Sequence, residues 1–274
     1  MLRDKRSTMN RRGTGYRHRV CQWPVSQLTG KCHKMVIPPK SSDKKFALLV
    51  GDSHLRAIAD GFVKMPEGDL YFGIMSTPGA TAMEEKMELA NVKLPQVPDV
   101  VCVLAPSNDL TQTKSHERAG VGFRKLLAVA LSQCSNVVVV DFPPRYNMEM
   151  YPQEMLRQEY RRVAAEVGVK YLSAVEHFSL DKSELWAQDG VHLSDTDGMP
   201  ILVQLLWKAS YTATRDVVQV PRPVTVPVRS ALKCVPATVA PEKSSAIVRG
   251  VEVTPPPAVN LDEWTVVGSK VKNK

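Results

Sequence analysis

Four continuous apolar runs punctuate the middle of the chain: Phe46 to Val50, Leu70 to Ile74, Val100 to Leu104 and Val137 to Val140. They show no alternation of apolar and polar positions, so they read as strands covered on both faces, as in a parallel sheet. A weaker fifth run lies near Lys170 to Ala174. Between them the apolar positions change period. Leu55, Ile58, Ala59 and Phe62, then Phe123, Leu126, Leu127 and Ala130, then Tyr160, Val163 and Ala164, then Ile201, Leu202, Leu205 and Leu206 follow helical spacing. Strands alternating with helices predict a three-layer, doubly wound α/β domain around a parallel five-stranded sheet.

The domain limits are set by composition. Ile37-Pro38-Pro39-Lys40-Ser41-Ser42-Asp43 reads as a linker that ends just before the first apolar run. After about Arg215, Pro221, Pro223, Pro227, Pro236, Pro241 and Pro255-Pro256-Pro257 recur too often for helices or sheet ladders. The expected organisation is a basic disordered tail and linker over 1–45, an α/β domain over 46–216, and a Pro/Val-rich disordered tail over 217–274.

Charge divides along the same lines. Residues 1–45 carry 12 Lys or Arg against 2 acids and residues 217–274 carry 8 against 4, whereas 46–216 carry 16 against 22. The net charge of +8 is thus a property of the tails, and the central domain is mildly acidic. The leader from Arg11-Arg12 to Arg17-His18-Arg19 has the charge to attract nucleic acid by counterion release, and the favoured reading is a solvated tail. No apolar run approaches the roughly 18 to 20 residues of a membrane span, and no signal-peptide core follows Met1, so an intracellular, cytoplasmic or nuclear, protein is expected. Five cysteines in scattered positions do not make a disulfide framework. His18, Cys21, Cys32 and His33 are zinc-ligand types, but their spacing matches no finger or knuckle, and no metal or cofactor is expected.

The chemistry gathers where strands end. Gly51-Asp52-Ser53-His54 follows the first predicted strand, Pro106-Ser107-Asn108-Asp109 the third, and Asp189-Gly190-Val191-His192 precedes the last helix. In doubly wound sheets ligands bind beyond the carboxyl ends of the strands. Ser53 has the place of a nucleophile, and Asp52 and Ser53 are also good helix caps. A serine attacks only if a base takes its proton. His192 suits that task, and Asp189 can fold back to fix its tautomer. His54, His116 and His177 lack comparable partners in sequence. Gly79, in Thr77-Pro78-Gly79-Ala80-Thr81, reads either as a turn or as a backbone donor to a ligand. Asp141 and Arg145 lie at the end of the fourth strand. Arg145 either meets an anionic substrate or, as the favoured reading has it, pairs with Asp141 to hold the loop.

Taken together, Gly51-Asp52-Ser53-His54, Gly79, Asn108 and Asp189-x-x-His192 resemble the four blocks of the SGNH or GDSL hydrolase superfamily, in the family's order, over about residues 46–212. The third block begins with Pro106 where glycine is usual. The resemblance implies a flavodoxin-like fold and a serine esterase or acyl hydrolase that needs no cofactor, with a small-molecule, glycan or lipid ester as substrate. It also implies a Ser53, His192, Asp189 triad and an oxyanion hole built by Ser53, Gly79 and Asn108. The alternative is a weakly catalytic or non-catalytic module of this fold in a nucleic-acid-binding or scaffold protein of retroelement-type architecture.

Overall fold

The computed structural model of the protein describes residue 13 and residues 23–216. The strands are β1 (Lys34–Val36), β2 (Lys45–Gly51), β3 (Leu70–Ser76), β4 (Val100–Leu104), β5 (Val137–Val140) and β6 (Lys170–Leu172). They form one sheet in the order β1-β3-β2-β4-β5-β6. The helices are α1 (Arg56–Ala59), α2 (Ala82–Asn91), α3 (Asp109–Gln112), α4 (His116–Gln133), α5 (Met150–Glu166) and α6 (Gly198–Asp216).

The pleat distributes each apolar run between two cores. Ala47 and Leu49 of β2, Val100, Cys102 and Leu104 of β4, and Val138 and Val140 of β5 face α1 and α6, through residues such as Ile58, Leu202 and Leu206. Their neighbours Phe46, Leu48 and Val50, Val101 and Val103, and Val137 and Val139 face α2, α4 and α5, against Leu89, Phe123, Leu127 and Val163. A strand buried on both faces has no polar side to alternate with, which is why these runs are continuous. The Cys102 thiol sits in this core, where burial pushes its pKa up to about 12.

Helix starts are set locally. Thr81 and Glu84 form a capping box on α2, and the Ser115 side chain accepts from the Arg118 N–H to start α4. The next donor of α2, the Ala82 N–H, is taken by Asp109 Oδ2 at 2.8 Å, so the loop after β4 is tied to the start of α2.

The sheet has one strand more than the sequence predicts. β1 pairs antiparallel with β3, Lys34 opposite Ser76 and Val36 opposite Ile74, inside the span expected to be tail and linker. Trp23, also in that span, is buried and donates its indole N–H to Asp60 at 2.9 Å, with the Arg56 guanidinium 4.9 Å from its ring. A three-residue edge strand, Lys-Met-Val, has no apolar period to reveal it. Gly13 forms an isolated bridge with Ser194, and a Cβ at Gly13 would come 2.5 Å from the Leu193 carbonyl oxygen. The rest of the basic leader, including His18 and Cys21, and the whole of 217–274 lie outside the described residues. Among the described residues no helix is long and apolar enough to cross a membrane.

Candidate active site

β2 lies between β3 and β4, and the chain crosses from β2 to β3 on one side and reaches β4 on the other. Strand order therefore reverses at β2, and in doubly wound sheets ligands bind beyond the carboxyl end of the strand at such a reversal. Ser53 begins a single 3-10 turn there, Ser53–Leu55, capped by Asp52, whose side chain accepts from the His54 N–H. Gly51 is needed at the approach: a Cβ on it would meet Leu104 Cβ at 3.0 Å and Leu55 Cδ1 at 3.1 Å.

The turn aims Ser53 at the loop before α6. Ser53 Oγ is 2.8 Å from His192 Nε2, and His192 Nδ1 is 2.7 Å from Asp189 Oδ2. With a carboxylate on Nδ1, that nitrogen carries the proton and Nε2 presents its lone pair to the serine. Asp189 Oδ1 accepts from the N–H groups of Val191 and His192, at 2.9 and 3.0 Å, so the carboxylate is fixed by its own loop. Partial burial raises the Asp189 pKa, but the ring and backbone hydrogen bonds outweigh it and leave it at about 2. Gly190, with φ of 66°, makes the tight return possible, and its carbonyl accepts from the N–H groups of Tyr146 and Asn147 at 2.8 and 3.1 Å.

A second Asp and His pair underlies the first. Asp52, fully buried, accepts from His54 Nδ1 at 3.0 Å, from Ser107 N and Oγ at 3.2 and 3.1 Å, and from Asn108 Nδ2 at 3.1 Å. Burial pushes its pKa up, yet the His54 charge and these N–H donors prevail and hold it at about 2. His54 Nε2 faces the Val191 carbonyl at 3.3 Å. Both ring nitrogens of His54 therefore meet acceptors, which only a doubly protonated imidazolium satisfies. Burial lowers its pKa and Arg145 opposes the charge, but Asp52 and the Val191 carbonyl raise it above 6.5 overall. His54 was expected to lack a partner. The structure gives it two, because its partner lies two residues away on the capped turn and its acceptor, the Val191 carbonyl, comes from the loop before α6.

This raised pKa fixes the sign of a pH effect. The charged form of His54 stabilises the fold fully below the unfolded value near 6.5, and that stabilisation is lost as pH rises through the higher folded value. The groups facing the ring are Asp52, Arg145 and His192. We expect the urea midpoint of the wild type to fall between pH 6 and pH 9 by more than that of His54→Gln. Parallel declines in the two proteins would contradict the assignment.

The expected oxyanion donors fall into two kinds. No hydrogen bond from the Ser53 or Gly79 N–H to the backbone occurs among the described turns and loops, and Gly79 has φ of 77°, the left-handed conformation that favours glycine. Asn108 differs: its amide donates to Asp52 and, at 3.1 Å, to the Ala80 carbonyl, so both of its N–H groups are occupied. The Pro106 carbonyl accepts the Tyr160 hydroxyl at 3.2 Å, and the next residue, Ser107, ties the loop to Asp52 through its N–H and hydroxyl.

Asp141 does not pair with Arg145, the favoured reading from sequence. Its partners are Arg157, at 3.0 Å with both side chains buried, and the Tyr171 hydroxyl at 2.7 Å. Arg157 approaches from α5, a long-range contact that spacing does not reveal. Of the four zinc-ligand types near the N-terminus, His33 binds Thr77 Oγ1 at 2.9 Å. Among the described residues there is no group of three metal-ligating side chains.

The profile of the GDSL-like lipase/acylhydrolase family matches residues 56–196, just over half the chain, and the protein belongs to that family. The match spans Gly79, Asn108, Asp189 and His192 and starts three residues after Ser53. No curated protein matches by sequence. Solved structures similar in fold include a protein assigned as an acylhydrolase from Bacteroides fragilis, at 16% identity and a TM-score of 0.51 over 65% of this chain and 92% of that one. A GDSL-like lipase from Bacteroides thetaiotaomicron matches at 14% identity and 0.48, over 65% and 93%. The esterase EstA from a Pseudoalteromonas species matches at 15% and 0.48, over 63% and 100%. The Bacteroides fragilis match and the family match together give the sheet and helix arrangement of the GDSL hydrolases.

Proposed function

We propose that the protein is a serine-dependent esterase or acyl hydrolase whose reaction is carried by Ser53, His192 and Asp189. The observation that carries this reading is the continuous chain from Ser53 Oγ through His192 to Asp189, with links of 2.8 and 2.7 Å. Ser53 Oγ attacks the ester carbonyl carbon while its proton passes to His192 Nε2. The carbonyl oxygen becomes an oxyanion facing the N–H groups of Ser53 and Gly79, and the Asn108 amide joins them by exchanging the Ala80 carbonyl for the substrate. As the bond to the alcohol breaks, His192 returns the proton to the leaving oxygen. Water then gives a proton to His192, attacks the acyl-enzyme and expels Ser53 with that proton. Asp189 stays ionised throughout and stabilises the imidazolium. The catalytic unit in this reading is the α/β domain over 46–216, with β1 and Trp23 completing it.

Substituting Asp189→Asn tests the arrangement without emptying it. The amide would present N–H to Nδ1 and turn the imidazole to the wrong tautomer, so kcat for a short-chain aryl ester should fall by about 10⁴-fold. A kcat within a few-fold of wild type would remove Asp189 from the mechanism.

A further inference from the structure

We propose that Arg145 is the anion-binding group of the site, selecting esters that carry a carboxylate, phosphate or sulfate close to the scissile bond. The proposal rests on the reading of Ser53 and His192 above and adds the class of substrate.

Arg145 follows β5 at the carboxyl edge of the sheet. Its backbone is clamped on both sides, N–H and carbonyl, by the buried Gln153 side chain at 2.7 and 3.0 Å. The next two residues, Tyr146 and Asn147, both donate to Gly190 of the base loop, and Trp186 fastens the preceding Pro144 carbonyl at 2.8 Å. The loop that bears Arg145 is therefore docked against the loop that bears Asp189 and His192.

The side chain is half-buried and makes no ion pair among the described residues, and its buried Nε has no hydrogen-bond partner. Burial draws its pKa below the ordinary arginine value, against the pull of Asp52 and Asp189. Those two carboxylates, one beside Ser53 and the other behind His192, attract the guanidinium by charge but form no ion pair with it among the described residues, most of their acceptor sites being taken. Asp52 already accepts five hydrogen bonds and Asp189 three. A partly desolvated guanidinium costs free energy unless its donors are met, and here the buried Nε is unmet. Its planar fork matches a carboxylate or phosphate with two parallel bonds. A neutral ester leaves the donors unmet, whereas an anionic one satisfies them.

The test compares paired substrates in wild type, Arg145→Gln and Arg145→Lys. For an anion on the acyl side, the pair is the 4-nitrophenyl hemisuccinate and the neutral, isosteric 4-nitrophenyl 4-methylpentanoate. For an anion on the alcohol side, it is 4-acetoxybenzoate and 4-acetoxybenzamide. The readout is the ratio of kcat/KM, anionic over neutral, within each protein, so a general loss of activity cancels. On at least one arm the ratio should drop by about 10- to 100-fold in Arg145→Gln, the worth of charge-assisted hydrogen bonds, and recover in part in Arg145→Lys. Ratios equal within twofold in wild type and Arg145→Gln on both arms would overturn the proposal. If no ester is turned over by the wild type, the esterase reading fails separately. Calorimetric titration with benzoate and benzamide then decides for Arg145: a preference for benzoate lost in Arg145→Gln supports it, and equal affinities reject it.

Discussion

Ser53→Ala is expected to lower turnover of a short-chain aryl ester by roughly 10⁴- to 10⁶-fold while leaving the fold intact. Ser53 is only partly buried and, among the described residues, its side chain makes one hydrogen bond, to His192, so alanine removes the proposed nucleophile with little change in packing. The turn itself survives, because its cap comes from Asp52. His192→Ala should cost about as much, and the double variant little more than either, since groups that act as a unit are not additive. Circular dichroism and a urea transition near those of wild type would show that chemistry, and not folding, was lost. Additive losses in the double variant would mean that the two side chains act independently.

The second large effect is on stability. Asp52→Ala should destabilise the fold by about 3 to 5 kcal/mol, as removal of one partner of a buried ion pair commonly does. The His54 imidazolium, the Ser107 N–H and the Asn108 amide would all be left facing a cavity. Asp52 also connects three loops: its own turn, the loop after β4 through Ser107 and Asn108, and, by way of His54 and the Val191 carbonyl, the base loop. The variant should therefore lose turnover as well, through misplacement of groups Asp52 does not itself supply to the substrate. Because the native pKa of Asp52 is about 2, below the ordinary 3.8, its stabilisation is present above the unfolded value and is lost as pH falls through about 2. Acid unfolding of the wild type, followed against Asp52→Ala, should converge at the lowest pH. A stability loss under about 1 kcal/mol, the scale of an exposed pair, would show the buried network to be inessential.

β2, β3, β4 and β5 were legible because they are buried on both faces and read as apolar runs, whereas β6, a partly buried edge strand, gave only the weaker fifth run. β1 and Trp23 were not: a three-residue edge strand carries no period, and a single tryptophan in a basic stretch shows nothing of the Asp60 that receives its indole N–H. At the site, the sequence suggested grouping Ser53, His192 and Asp189 because each residue type has a chemical task that the others complete, and the structure brings the three side chains within hydrogen-bond reach. The roles of Asp52 and His54 were hidden. Both stood in plain view beside Ser53, but their partners, Ser107, Asn108 and Val191, come from distant loops. Asp141 shows the same limit, since the nearer Arg145 looked like its partner while Arg157, one helix away, takes that place and leaves Arg145 without an ion pair among the described residues.

The central claim is that Ser53 is a nucleophile activated by His192. Intact-mass measurement after reaction with a fluorophosphonate tests it most directly, because that reagent forms a stable bond only with an activated hydroxyl. The account predicts a single phosphonyl adduct on the peptide carrying Ser53, abolished in Ser53→Ala and strongly slowed in His192→Ala. An adduct that persists unchanged in Ser53→Ala, or none on the folded wild type, would contradict it.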